Sequence, residues 1–157
     1  MSKVLSESFY KEMSKLENRY PDKVALLLPA LHEAQKENGW LPPEVLDELA
    51  EYIGVHPAQV REVASFYTMY NLKPVGKYHL KICTNVACCL RGAEGLVDYC
   101  EKKFNVSCGG TTKDMKFTLS EEECLGACGT APAMMLNDDY QESLTVEKLD
   151  KILGELE

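Results

Sequence analysis

The sequence predicts an α+β chain: an N-terminal helical bundle over residues 1–72, then a mixed α/β domain over residues 77–157. Three observations carry this expectation. Apolar residues recur at helical spacing through the first 70 positions. From residue 77 the pattern changes to alternating strands interleaved with helices. All seven cysteines lie in the second half. The stretch "NLKPVG", residues 71–76, links the halves.

The helical half reads in order. A first helix is expected over about residues 6–18. In "DKVALLLPALHEAQKENG", Val24, Leu27, Leu28, Leu31 and Ala34 share one helical face. Pro29 should start or kink the regular helix, and Asn38–Gly39 should stop it. "LPPEVLDELAEYIG" opens with prolines suited to a first helical turn, carries Val45, Leu46, Leu49 and Ile53 on one face, and stops at Gly54. "HPAQVREVASFY" repeats the device, with Pro57 at the start and Val60, Val63 and Ala64 inward.

In the second half, "KYHLKIC" alternates Tyr78, Leu80 and Ile82 and reads as a strand ending at Cys83. "CCLRGAEGLVDYCEKKF" places Ala93, Leu96, Val97, Cys100 and Phe104 at helical spacing. "MKFTL" alternates Met115, Phe117 and Leu119, and "PAMML" is a short apolar run ended by the turn "NDD". A short strand is expected at Tyr140. "TVEKLDKILGEL" closes the chain with Val146, Leu149, Ile152, Leu153 and Leu156 on one helical face.

Composition excludes several classes of function. At 45% hydrophobic and 27% charged residues the chain is globular rather than disordered. Its longest apolar run, "VALLLPAL", falls far short of the ~18 residues of a membrane span, so direct membrane insertion is not expected. The start "MSKVLSESFY" lacks the layout of a signal or transit peptide, which points to a cytoplasmic, reducing location. There, an odd number of cysteines at short spacings indicates metal binding rather than a disulfide framework. A net charge of -8 argues against nucleic acid and is compatible with docking onto a more basic protein.

The cysteines form a C-x4-C pair in "CTNVACC" and a C-x3-C pair in "ECLGACGTAP", with 35 residues between Cys88 and Cys124. Each pair follows an expected strand, so each is expected on a loop, and two loops at one end of a sheet can bring four sulfurs together. Structural zinc sites use spacings of this kind or shorter. A 2Fe-2S cluster carries about -2 in net charge with its four thiolates, and about -3 when reduced, so it needs many backbone N–H donors. "LGACGTA" supplies them, because Gly126 and Gly129 let the main chain turn toward the sulfurs. This favours iron–sulfur, with a zinc-stabilised scaffold or interaction subunit as the reading of a different class. Cys88 and Cys89 both remain candidates on spacing. Cys100 belongs to the apolar stripe of its helix, and Cys108 sits in a turn as a free thiol or a further candidate. No two cysteines are spaced C-x-x-C, which disfavours a dithiol redox motif.

These residues carry a resemblance. "CTNVACC…ECLGACGTAPAMMLND", preceded by "GWLPPEVLDELAEYIGV" and "EVASFYTMY", resembles the thioredoxin-like 2Fe-2S subunit of NADH:quinone oxidoreductase, respiratory complex I. Similar modules serve as diaphorase parts of NAD-linked hydrogenases and formate dehydrogenases, some of them electron-bifurcating. The resemblance covers nearly the whole chain and includes the N-terminal helical annex. It implies a thioredoxin-like α/β domain with one 2Fe-2S cluster held by Cys83, Cys88, Cys124 and Cys128, leaving Cys89 as an extra. It implies a non-catalytic electron-carrying subunit of an enzyme complex, with no catalytic residues of its own. The expected partner is the flavin-bearing, NADH-oxidising subunit with FMN and a 4Fe-4S cluster. Any association with the cytoplasmic face of the inner membrane would come through the complex.

Other features have plainer readings. Ala50, Gly54 and Val60 match helix-turn-helix spacing, but residues 41–70 hold five acids against Arg61 alone, the wrong balance for facing phosphate. A packing motif is expected instead. His32, His56 and His79 are expected to be structural or solvated, with His56 starting a helix and His79 opposite its strand's apolar side. Phe66, Tyr67 and Tyr70 are expected in core between the two halves, and Trp40 in a similar packing role. Pro132, before an apolar strand, resembles the proline of thioredoxin folds, which is often cis. No glycine-rich phosphate loop is present, so neither a nucleotide nor a flavin site is expected on this chain.

Overall fold

The computed structural model describes residues 4–156. The chain divides into two compact units, Met1–Pro74 and Val75–Glu157, each with its own core.

The first unit holds four helices: α1 (Glu7–Glu17), α2 (Leu27–Asn38), α3 (Pro43–Ile53) and α4 (Pro57–Phe66). Each boundary has a local cause. The Ser6 hydroxyl caps α1 by accepting from the Phe9 N–H at 3.3 Å. A 3-10 turn, Val24–Leu26, runs into α2, with Pro29 tolerated in the first turn. Gly39 and Gly54 end α2 and α3 in the left-handed conformation, at φ 76° and 84°. His56 opens α4 in a capping box with Gln59. The core gathers Phe9, Met13, Leu31, Val45, Leu49, Ala50 and Val60, each large apolar side chain contributing ~1.5–3 kcal/mol by leaving water. Ala50 and Val60 are buried on either side of the Gly54 turn, so the helix-turn-helix spacing serves α3–α4 packing.

Two expectations fail in this unit. Val24 and Leu28 are exposed, while Leu26 and Ala30 take the inward positions; the 3-10 turn shifts the phase at Val24 by part of a turn, while Leu28 lies on α2 itself beside the buried Leu27. Phe66 is 76% exposed at the end of α4, so it is not core. Tyr70 is buried among the helices of this unit, its hydroxyl donating to the Leu28 carbonyl at 3.0 Å. Tyr67 lies between these extremes, edge-on to both rings. Trp40 is half-buried.

The second unit is a four-stranded sheet in the order β2-β1-β3-β4. Its elements run β1 (Tyr78–Cys83), α5 (Val86–Leu90), α6 (Ala93–Phe104), β2 (Phe117–Glu122), β3 (Met134–Leu136), β4 (Asp139–Gln141) and α7 (Val146–Gly154). β1 pairs parallel to β2 and antiparallel to β3, and β3–β4 is a hairpin. This is the mixed α+β arrangement of a thioredoxin-like domain. Leu80, Ile82, Leu119 and Met134 form one core with Leu96, Val97 and Cys100 of α6 and Leu149 and Leu153 of α7. The peptide before Pro132 is cis.

The opposite face of β1 is less open than its polar residues suggest. His79 is only 9% exposed, its Nε2 lying 2.9 Å from the Ser120 hydroxyl on β2. Thr118, its partner across the ladder, is also buried and receives the Gly76 N–H at 2.6 Å. Of the two roles expected for His79, the structure gives the structural one. A Cβ at Gly76 would meet the backbone of Phe117 at 2.8 Å, so this crossing requires glycine.

Candidate functional site

The cysteine-bearing segments meet because of strand direction. β1 and β2 are adjacent and parallel, so the segments leaving their C-terminal ends start at the same edge of the sheet. The first leaves at Cys83 and turns at once into α5; the second leaves at Glu122 and carries Cys124 and Cys128. The ends of parallel strands are where α/β folds commonly place ligand sites.

Cys83 is the last residue of β1, buried, with its N–H donating to the Ala133 carbonyl at 3.0 Å. Cys88 is buried on α5, which corrects the expectation of a loop: the side-chain carbonyl oxygen of Asn85 caps the Val86 N–H at 2.9 Å and starts a short helix. The Cys88 thiol neighbours Cys83 and lowers its pKa. Cys124 lies exposed in the loop after β2, its sulfur accepting the Gly126 N–H at 3.3 Å. Cys128 is exposed at the start of the 3-10 turn Cys128–Thr130, close enough to Cys88 to raise that thiol's pKa.

Backbone N–H groups lower the pKa of the buried thiols. Burial pushes the Cys83 thiol up, but the N–H groups of Asn85 and Leu125 and the Cys88 thiol outweigh it, and the net direction is down. The Leu125 contact crosses between the segments, since Leu125 lies between Cys124 and Cys128. The Ala133 N–H lowers the pKa of Cys88, which is nonetheless raised by burial and by its thiol neighbours. Cys83 therefore ionises before Cys88. Among the described residues, no group of three or more His, Cys, Asp or Glu closes to the separation needed around one metal ion.

The other cysteines are placed apart. Cys89 turns back on its own segment and donates to the Thr84 carbonyl at 3.0 Å. Cys100 is fully buried in the α6 face, and burial pushes its thiol up to about 12. Cys108 is half-buried after α6, with burial again raising its pKa. The histidines lie elsewhere: His32 is edge-on to Tyr70, His56 caps α4, and His79 is under the sheet face.

Sequence reasoning missed two residues that hold this region. Asn85 donates its side-chain N–H to the Glu123 carbonyl at 2.7 Å, and the Tyr140 hydroxyl donates to the Leu125 carbonyl at 3.1 Å. An asparagine just before a short apolar helix is a recognisable cap signal; nothing local marks Tyr140.

Fold and site define a thioredoxin-like α/β protein with a cysteine-bearing segment at the end of each of two parallel strands. The chain belongs to the thioredoxin-like 2Fe-2S ferredoxin family, whose model matches residues 13–157. It is 48% identical over 142 residues to a subunit of NADH-quinone oxidoreductase from Rickettsia conorii, covering 88% of this chain and 85% of that protein. It is 47% identical over 135 residues to a subunit of NADH-quinone oxidoreductase from Rhizobium meliloti, covering 86% and 80%. The solved structure of an NAD+-reducing NiFe hydrogenase in the air-oxidised state shares the fold, with a TM-score of 0.75 at 24% identity. That match covers 83% of this chain and 22% of the hydrogenase chain.

Proposed function

We propose that this chain is a non-catalytic electron-transfer subunit carrying one 2Fe-2S cluster on Cys83, Cys88, Cys124 and Cys128. The observation that carries the reading is the placing of both cysteine-bearing segments at one edge of the sheet by the parallel strands β1 and β2, with the Gly126 N–H donating to the Cys124 sulfur at 3.3 Å. Backbone donors of this kind offset the negative charge of a four-thiolate site. The family match, over nearly the whole chain, supports the same cofactor.

The donor set fits the group. Four thiolates complete two irons, and soft sulfur ligands suit iron–sulfur clusters. Bound there, a 2Fe-2S cluster supplies reversible one-electron transfer. The chain's own part is to hold and orient it. Cys83 and Cys88 belong to the packed core of the sheet, which shields that side from water. Cys124 and Cys128 lie on the exposed side, where a partner can approach. Gly126 presents its N–H to the Cys124 sulfur, and the N–H groups of Asn85, Leu125 and Ala133 lower the pKa of Cys83 and Cys88.

The relatives named as NADH-quinone oxidoreductase subunits support a place in the NADH-oxidising module of such a complex. There the docking partner is the flavin-bearing, NADH-oxidising subunit. NADH oxidation belongs to that partner, and this chain receives or returns single electrons. No helix among the described residues is long and apolar enough to cross a membrane; membrane association, in this reading, comes through the complex.

The test is the metal itself. Chain purified without oxygen should be red-brown, with two irons and two acid-labile sulfides per chain. Stoichiometric zinc and no visible absorption would refute the reading in favour of a zinc-stabilised scaffold.

A further inference from the structure

The loop bearing Cys124 is held from two sides by side chains outside it. On one side stands Asn85. Its Oδ1 accepts the Val86 N–H at 2.9 Å, while its Nδ2 donates to the Glu123 carbonyl at 2.7 Å. The backbone pairing of β1 with β2 ends with the Thr84 N–H on the Glu122 carbonyl, at 3.1 Å. The Asn85 amide therefore carries that pairing one residue further, into the loop. On the other side the Tyr140 hydroxyl, from β4, donates to the Leu125 carbonyl at 3.1 Å. Cys124 lies between the two gripped carbonyls. Packing restrains the loop little: from Glu123 to Thr130 only Leu125 and Ala127 are even half-buried. The peptide whose carbonyl Tyr140 holds also carries the Gly126 N–H, which meets the Cys124 sulfur at 3.3 Å.

We infer that Asn85 and Tyr140 are positioning residues that clamp the Cys124 loop, fixing how long a bound 2Fe-2S cluster is retained and how firmly the Gly126 N–H is held on Cys124; this rests on the cluster reading above. Neither side chain hydrogen-bonds to the cysteine it positions. Each acts through one backbone carbonyl of the loop. Because Asn85 also caps α5, a single amide links the Cys88 helix to the Cys124 loop.

The test uses the full chain with Asn85→Ser, Tyr140→Phe and the double variant. Serine keeps an acceptor for the Val86 N–H but cannot reach Glu123; phenylalanine keeps the ring and loses only the hydroxyl. The first readout is amide hydrogen exchange at Leu125 and Gly126 in the cluster-free chain. Each lost hydrogen bond should speed exchange by roughly two- to tenfold, with the double variant faster than either. The second is loss of visible absorption from the loaded chain on exposure to an iron chelator, which should accelerate by a similar factor. The third is the midpoint potential, which should become more negative, because a weakened N–H contact on sulfur compensates the added electron less well. Unchanged exchange at Leu125 and Gly126 in the double variant, or an unchanged potential in the loaded one, overturns the clamp. A colourless wild-type chain refutes the cluster reading instead, and the exchange result still decides the clamp.

Discussion

Acidification should weaken the second unit through one side chain, His79. Its ring is buried beneath the sheet, with Nε2 on the Ser120 hydroxyl and Nδ1 without a hydrogen-bond partner. Burial, aided by the charge of Lys81, lowers its pKa from 6.5 to about 4. In the unfolded chain the imidazole titrates near its ordinary value. Between those two values the unfolded state binds the proton that the folded state refuses, so stability rises with pH across the window. It is intact above about pH 6.5, falls as the pH drops, and levels off below about pH 4. The whole shift corresponds to about 3 kcal/mol, of which about 2 kcal/mol is lost between about pH 7 and about pH 5. Urea unfolding of the wild type and His79→Gln at those two pH values isolates the term from the carboxylates, which titrate in both. The wild type should lose about 2 kcal/mol more than the variant over that interval. The chain has three histidines, so proton NMR can follow the His79 ring directly by difference from the variant. Parallel pH dependence in the two proteins, or a His79 resonance titrating near the ordinary value, would refute the argument.

Two further outcomes are expected. Cys83→Ser, Cys88→Ser, Cys124→Ser and Cys128→Ser should each lose or markedly destabilise the cluster, because a hard oxygen replaces thiolate poorly. Cys89→Ser should retain it, since that thiol is turned to the Thr84 carbonyl, as should Cys100→Ala and Cys108→Ser; visible absorption and iron content of each variant check the assignment, and a Cys89→Ser chain without cluster beside a Cys88→Ser chain with it reverses the register. The isolated chain should not reduce ferricyanide with NADH, and adding the flavin-bearing subunit should restore the reaction; turnover by the chain alone would overturn its non-catalytic role.

The helices were legible because their signals are local. Pro43 and Pro57 start α3 and α4, Gly39 and Gly54 end α2 and α3, and the apolar spacing of Val45, Leu49 and Ile53 is buried as expected. The errors arise where a local pattern depends on something beyond it. Val24 follows the helical spacing of Leu31 but opens a 3-10 turn, so it points outward. Phe66 is apolar enough for any core, yet hydrophobicity does not say whether the last turn of a helix has anything to pack against. His79 shows the converse: its place on the polar side of the β1 alternation gave no sign that Gly76 and Ser120 close over that side.

The adjacent cysteines show how much of a site depends on strand direction. In α5 successive side chains turn by about 100° around the helix, so Cys88 and Cys89 cannot face the same sulfurs. The Asn85 cap sets the phase that turns Cys88 toward Cys83 and Cys89 toward Thr84. That much follows from a cap signal in the sequence. The position of the segment bearing Cys124 and Cys128 at the same sheet edge does not, because it requires β2 to run parallel beside β1. Had β2 been antiparallel to β1, the segment after it would have emerged at the far end of the sheet. The crossover through α6 is long enough for the parallel arrangement, since parallel neighbours need a dozen or more connecting residues. Alternating apolar residues identify a strand without giving its direction; here the second cysteine pair, which a common site requires at the same edge as the first, is the feature of the sequence that bears on it.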